Sequence, residues 1–177
     1  IVTPNKKANS APYADYQRVK DARRTAGSHY LYEATVGAGL PVIQTLRDLR
    51  ETGDDIRRIE GMFSGTLAYL FNTWDGSQPF SEVVRHAKSL GYTEPDPRDD
   101  LSGMDVARKG LILGRLMGYR GAFPAPADLV PAAMKALPLD QFLARMPELD
   151  ESWRARVATE AARGRVLRYV VSATPAR

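Results

Sequence analysis

The chain has 177 residues, 44% of them hydrophobic, and a formal net charge of +4, which suits one domain with a hydrophobic core or one domain with part of another. The absence of cysteine excludes disulfides and thiolate metal sites, and a total of two histidines, His29 and His86, argues against a zinc site or a histidine-based triad. No apolar run reaches membrane-spanning length and no export signal opens the chain, so we expect a soluble, cytoplasmic protein without a membrane partner.

The predicted elements alternate between short strands and helices along the chain. An apolar start predicts the tail of a strand over residues 1–3. Aromatic and β-branched residues predict further strands over 29–36, 56–63 and 165–173. Apolar residues at helical spacing predict helices over 11–26, 41–51, 65–74, 80–90, 102–119 and 140–163. This mixture predicts an α+β fold in which helices cover a mixed β-sheet.

Basic residues cluster near both ends of the chain, over residues 6–24 and 154–168. Basic clusters are a feature of nucleic-acid-binding proteins. Here, however, the arginines recur at helical spacing beside acidic residues, which is typical of solvated helix faces. We therefore expect no nucleic-acid partner, and the net positive charge favours small anionic molecules.

The segment GYTEPDPRDDLSGMDVARK, residues 91–109, places five carboxylates ahead of Lys109. One interpretation is structural, because Ser102 and Asp105 have the spacing of a capping box, and Asp105 and Lys109 can form a surface ion pair. A second is catalytic, because nearby carboxylates and burial tune the pKa of a lysine that then exchanges a proton with a reacting oxygen. A calcium loop is weaker, since Pro95 and Pro97 interrupt the alternating ligands.

The same segment resembles the signature of the homoserine dehydrogenase family. The residues that match at the family's spacing are Ala87, Gly91, Tyr92, Thr93, Glu94, Pro97, Asp100, Leu101, Gly103, Asp105 and Lys109. The stretches TPNKKA, YEATVGAGLPVI and IEGMFSGTLAYLFN resemble other segments of that family. The resemblance is close over about residues 1–120 and fades afterwards, as loop-rich tails usually do.

The resemblance implies an oxidoreductase that interconverts L-homoserine and L-aspartate 4-semialdehyde with NADP or NAD, in threonine, methionine and isoleucine biosynthesis. By correspondence with the family, Lys109 gives and takes the proton, and Asp105 orients that lysine and the substrate hydroxyl. Lys6 positions cofactor and substrate and shares the proton work. Taken alone, Lys6 is an ordinary loop lysine.

Substrate-binding roles also follow from the resemblance. Glu94 is expected to bind the substrate ammonium group, and Asp100 to support the polar network. Gly65, Thr66 and Tyr92 are expected along the substrate pocket. Without the family, Glu94 is a turn residue, Thr66 caps a helix and Tyr92 is a core aromatic residue.

The stretch VGAGLP is similar to a sodium-like site of the family, formed by Glu33 and the main-chain carbonyls of Val36, Ala38 and Leu40. Two glycines allow sharp turns in which carbonyls converge, and carbonyl and carboxylate oxygens suit a hard cation. Without the resemblance, this stretch is a glycine-rich helix entry.

The sequence contains no GxGxxG phosphate loop of a Rossmann half. We therefore expect residues 1–27 to be the edge of a nucleotide-binding domain, and residues 28–177 to be the substrate-binding, catalytic and dimerisation domain. We expect a catalytic region cut from a longer polypeptide and inactive alone, whose fusion to an aspartate kinase stays open. Family members dimerise through the substrate domain, which implies a homodimer. The alternative is a non-catalytic cation-binding or oligomerisation module that keeps the fold.

Overall fold

The computed structural model describes residues 1–175. In this part of the chain the helices are α1 (Tyr13–Thr25), α2 (Val42–Glu51), α3 (Gly65–Thr73), α4 (Phe80–Ser89), α5 (Pro97–Leu101), α6 (Met104–Leu116), α7 (Ala132–Lys135), α8 (Leu139–Arg145) and α9 (Asp150–Ala161). The strands are β1 (Ile59–Gly61) and β2 (Val171–Ala173), and two 3₁₀ helices span Glu33–Thr35 and Met146–Leu149. None of the described helices is long and apolar enough to cross a membrane.

The chain packs as two compact units. Unit 1 comprises Ile1–Phe63, Val106–Ala125 and the described part of Val171–Arg177, and unit 2 comprises Ser64–Asp105 and Pro126–Val170. The predicted division at residue 27 is a boundary between the edge of a cofactor domain and the substrate domain. The two compact units describe how this chain packs internally, so they do not test that boundary. It therefore stays a prediction.

In unit 1, a hydrophobic core forms around α2 and α6. Its buried members are Tyr32, Val36, Ile43, Leu46, Ile112, Leu113 and Leu116. Strand β1 pairs with β2 in antiparallel register, with Glu60 opposite Ser172. Helix α6 lies so close to β2 that a Cβ on Gly110 would be 2.8 Å from Cγ1 of Val171. A side chain at Gly110 would therefore push the helix off the strand.

In unit 2, the core is aromatic and joins α3, α4 and α9. The rings of Trp74 and Phe80 have centroids 4.9 Å apart, and Phe80 and Trp153 have centroids 5.2 Å apart. Asp150, the first residue of α9, accepts hydrogen bonds from the backbone N–H and the hydroxyl of Ser81 at 2.8 and 2.7 Å. These bonds satisfy polar groups at the start of α4 that would otherwise be buried without partners.

The prediction of an α+β fold is confirmed, and helices form in every range where helical spacing predicted them. The strand predicted over 29–36 is wrong, because only Leu31 forms a bridge, parallel to Val2. Thr35 closes a 3₁₀ turn instead, through its N–H and its hydroxyl to the carbonyl of Tyr32. The aromatic residues that suggested a strand pack into the core of unit 1 from this turn.

The described sheet is smaller than the predicted mixed sheet, with two antiparallel strands of three residues each. The acidic segment forms the short helix α5, which the sequence did not predict. Asp96 caps α5 by accepting the N–H of Arg98, and Pro97 fills the first turn, where a missing N–H costs nothing. Ser102 follows the last residue of α5, and α6 begins at Met104.

Candidate active site

Lys109 lies on α6 in unit 1, and its side chain is half-buried. Its Nζ donates a hydrogen bond to the carbonyl oxygen of Phe63 at 2.7 Å. This bond fixes the position of the ammonium group relative to the chain at Phe63. Asp105, also half-buried, lies four residues earlier on the same helix, the spacing at which side chains share a face.

Lys6 lies in a tightly bonded loop of unit 1 and is half-buried. The carbonyl of Lys6 accepts from both the backbone N–H and the hydroxyl of Ser10, each at 2.9 Å. The side chain of Asn5 accepts from the N–H of Lys7 at 2.8 Å, as in an Asx turn. Hydrogen bonds to nearby residues of the chain therefore help to fix the backbone that carries Lys6.

The carboxylate of Asp100 organises the acidic loop of unit 2. Its Oδ2 accepts the backbone N–H of Glu94 at 2.7 Å, which closes the loop ahead of α5. Glu94 itself is exposed. The arrangement presents one carboxylate to solvent and uses the other to hold its backbone in place.

Thr66, Gly65 and Tyr92 also lie in unit 2. The hydroxyl of Thr66 donates to the carbonyl of Tyr92 at 2.7 Å, so Thr66 fixes the loop that follows α4. The residue that caps α3 is Ser64, whose hydroxyl accepts the N–H of Leu67 at 3.1 Å. Tyr92 is 51% exposed and packs edge-on against Tyr69, so it lies at the surface rather than in the core.

Asp96 and Arg98 form an ion pair within this acidic segment. The guanidinium Nε lies 2.9 and 3.0 Å from the two carboxylate oxygens, and Nη2 lies 2.6 Å from one of them. The hydrogen bond from the Arg98 side chain holds the pKa of Asp96 below its ordinary value of 3.8. Arg98 also donates to the carbonyls of Lys135 and Leu137 at 3.1 and 2.6 Å. The pair thereby joins the acidic segment to the chain after α7.

Glu33 and the VGAGLP stretch lie in unit 1. The two carboxylate oxygens of Glu33 accept the N–H groups of Ile43 and Gln44 at 2.8 and 3.0 Å. Glu33 therefore binds the N-terminus of α2, where a negative charge is favourable. Gly37 and Ala38 follow with φ of +81° and +51°, the left-handed region that a sharp turn requires.

The sequence did not single out Arg115, which is 6% exposed on α6. Its Nη1 donates to the carbonyl of Asn9 at 2.6 Å, and its Nη2 donates to the carbonyl of Ala11. The guanidinium carbon lies 4.6 Å from the ring centroid of Tyr16. Burial lowers the pKa of Arg115 below its ordinary value and raises the pKa of Tyr16 to about 12. The only signal in the sequence was a charged residue within the apolar helix α6.

The predicted site residues divide between the units. Unit 1 contains Lys6, Glu33, Val36, Ala38, Leu40 and Lys109, and unit 2 contains Gly65, Thr66, Tyr92, Glu94, Asp100 and Asp105. Among residues 1–175, no three His, Cys, Asp or Glu side chains are grouped to hold a metal ion. The resemblance implies a different kind of site, in which Glu33 is joined by the backbone carbonyls of Val36, Ala38 and Leu40.

Comparison with known proteins matches the homoserine dehydrogenase family model to residues 41–177. The chain belongs to the homoserine dehydrogenase family. Bifunctional aspartokinase/homoserine dehydrogenase 1 of Zea mays is 55% identical over 174 residues, which are 96% of this chain and 19% of that protein. Homoserine dehydrogenase of Schizosaccharomyces pombe is 47% identical over 180 residues, covering 96% of this chain and 48% of that protein.

Among solved structures, a Candida auris protein of unknown function matches with a TM-score of 0.90 and 44% identity. The match covers 98% of this chain and 51% of that one. This homoserine dehydrogenase family chain thus spans about half the length of the fungal relative and about a fifth of the bifunctional plant relative.

Proposed function

We propose that this chain is the substrate-binding and catalytic region of an enzyme that interconverts L-homoserine and L-aspartate 4-semialdehyde with NADP or NAD. The observation that carries the proposal is the environment of Lys109. Its ammonium group is half-buried and held by the Phe63 carbonyl at 2.7 Å, on the helix that also carries Asp105. An ammonium group fixed in this way can stabilise a developing alkoxide and supply its proton.

When bound, the nicotinamide cofactor supplies a hydride to the aldehyde carbon or accepts it back. In the reducing direction Lys109 gives a proton to the substrate oxygen, and in the oxidising direction it takes the proton of the homoserine hydroxyl. Asp105 orients the lysine and that hydroxyl. Lys6 adds a second positive charge, which positions cofactor and substrate, and its loop is fixed by the two bonds from Ser10.

For substrate recognition we assign the exposed carboxylate of Glu94 to the ammonium group. Asp100 supports this role through its 2.7 Å bond to the backbone N–H of Glu94, since a loop that is already ordered loses less entropy on binding. Thr66 holds the Tyr92 carbonyl at 2.7 Å, and the surroundings of Gly65 are open, because a Cβ on this glycine would meet no neighbouring atom within 4 Å. These residues would line the substrate pocket.

A sodium ion is the further component that we propose, bound by Glu33 and the carbonyls of Val36, Ala38 and Leu40. The donor set is all oxygen with a single negative charge, which suits a monovalent hard cation. Glu33 already accepts two backbone N–H groups, but each carboxylate oxygen has a further lone pair. A titration of turnover with sodium chloride, against a choline chloride control, tests this site.

We also propose a homodimer in the cytoplasm. The exposed side chains of Leu31 and Met62 in unit 1 are apolar surface of the kind that association covers. Sedimentation analysis of the complete protein tests the dimer.

The decisive experiment is Lys109→Ala in a complete protein, in which a nucleotide-binding half accompanies this chain. We expect kcat for homoserine oxidation to fall by about 10²- to 10⁴-fold, with little change in cofactor affinity. Lys135→Ala is the matched control, because Lys135 is exposed and pairs with Asp128. Near-normal turnover of Lys109→Ala would reject the proton-transfer role. No turnover by the unmutated protein would instead favour the non-catalytic module.

A further inference from the structure

Helix α6 carries two basic residues that hold other parts of unit 1. Lys109 binds the carbonyl of Phe63, and Arg115, six residues further on, binds the carbonyls of Asn9 and Ala11. The two residues are on one rigid helix, so whatever Arg115 holds keeps a fixed position relative to Lys109.

Arg115 holds the loop of Lys6. Between the two carbonyls that it binds lies Ser10, whose N–H and hydroxyl both donate to the carbonyl of Lys6 at 2.9 Å. Asn9 and Ser10 are buried, at 2% and 9% exposure, so this part of the loop is not free to shift in solvent. Arg115 on α6 is therefore connected to the backbone of Lys6 in two steps: it binds the residues on either side of Ser10, and Ser10 binds the carbonyl of Lys6.

The surroundings of Arg115 suit a guanidinium and no other side chain. Within residues 1–175 its hydrogen bonds go to backbone carbonyls, and its plane lies against the ring of Tyr16. Its buried Nε has no hydrogen-bond partner among the described residues, so the burial of Arg115 carries a desolvation cost. A lysine carries the charge but lacks the planar fork that reaches two carbonyls in fixed directions.

We propose that Arg115 is a positioning residue that fixes the loop of Lys6 to the helix of Lys109, so that the two lysines keep a constant position relative to each other. This inference rests on the proposed function, which assigns catalytic roles to Lys6 and Lys109. Arg115 itself contacts neither substrate nor cofactor in this proposal. It acts through the position of Lys6.

The kinetic test is a double-mutant cycle in the complete protein, with Arg115→Lys, Lys6→Ala and both together. We expect Arg115→Lys to lower kcat by about 10- to 100-fold, the cost of a catalytic group displaced by about 1 Å. In the Lys6→Ala background the same change should cost less than about threefold, because the group it positions is gone. A purely structural role would give the same loss in both backgrounds, and this result would overturn the proposal, as would full activity of Lys6→Ala.

The matched control is Arg50→Met. Arg50 also donates to a carbonyl of α6, that of Leu116, but it is exposed and has no contact with the Lys6 loop among the described bonds. We expect Arg50→Met to keep kcat within about twofold. An equal loss in Arg50→Met and Arg115→Lys would mean that any damage to α6 slows the enzyme, which contradicts a specific role of Arg115.

Hydrogen exchange of the complete protein gives a readout that needs no activity. In Arg115→Lys the amides of Lys7 and Ser10 should exchange about tenfold faster, whereas the amide of Leu46 in the core of unit 1 should be unchanged. If the unmutated protein is inactive but this local loosening is seen, the proposed function fails while the mechanical link stands. If the loop keeps its protection in Arg115→Lys, the link itself is wrong.

Discussion

Arg115 in unit 1 and Arg98 in unit 2 hold their surroundings in two different ways. Both donate to backbone carbonyls and both lie over an aromatic ring, Tyr16 at 4.6 Å and Phe142 at 5.1 Å. Arg98 also has a carboxylate partner, Asp96, and remains partly accessible to water. Arg115 is almost fully buried, and its partners in the described chain are carbonyls and rings.

This difference determines which conditions disturb each arginine. Burial lowers the pKa of Arg115, whereas the hydrogen bond to Asp96 raises the pKa of Arg98. Carbonyls do not titrate, so acid does not remove the hydrogen bonds of Arg115. The carboxylate of Asp96 does titrate, so acid removes part of the contacts of Arg98. The connection that Arg115 makes is therefore less sensitive to acid than that of Arg98. Fewer other side chains could replace it, because it needs a planar group that donates to two carbonyls.

The largest effect is expected from Arg115→Met, which breaks the connection in unit 1. Two carbonyls at least partly buried lose their donors, so the free energy of unfolding should fall by about 3 kcal/mol. Urea unfolding measures this change, and Arg50→Met should cost less than about 0.5 kcal/mol in the same assay because Arg50 is exposed. Equal losses in the two variants would contradict the comparison.

A smaller effect is expected from Arg98→Met in unit 2. The carbonyl of Lys135 and the carboxylate of Asp96 can reach water when the guanidinium is lost, so we expect a loss of about 1–2 kcal/mol. The control is Arg145→Met, since the pair of Arg145 with Glu148 is exposed and should contribute less to stability than Arg98 does. A loss larger than that of Arg115→Met would reverse the order of the two arginines.

The smallest expected effect is a loss of stability in acid, which should affect the contacts of Arg98 and not those of Arg115. The pKa of folded Asp96 lies below its ordinary value of 3.8, so its contribution to stability is complete above that value and is lost as the pH falls through the folded pKa. Asp96→Asn keeps a capping side chain but removes the charge. The difference in unfolding free energy between the unmutated protein and Asp96→Asn should therefore shrink when urea unfolding is repeated in acid.

The matching measurement in unit 1 uses Arg115→Met at the same pH values. Its difference from the unmutated protein should stay constant, because the carbonyls of Asn9 and Ala11 do not titrate. A difference for Asp96→Asn that does not change with pH would show that the ion pair with Arg98 contributes no stability of its own.

The sequence by itself determined most of the helices and the family. Helices α1 to α4 and α6 follow from the spacing of apolar residues, because burial of one helical face depends mainly on residues three and four apart. The acidic segment could also be interpreted locally, since the carboxylates of Asp96 and Asp100 accept backbone N–H groups within six residues. The family signature lies in this same short segment, so its recognition needed no tertiary information.

Only the tertiary structure decided the roles of Tyr32, Glu33 and Arg115. The pattern of residues 29–36 is that of a strand, yet packing of Tyr32 in the core and capping of α2 by Glu33, ten residues ahead of Ile43, produce a 3₁₀ turn. The role of Arg115 cannot be predicted from the sequence of its own helix, because its partners Asn9 and Ala11 are more than a hundred residues away along the chain. The physical reason is that a buried charge is tolerated only where it has hydrogen-bond partners. The partners of Arg115 come from a distant part of the chain, and only folding brings them close to it.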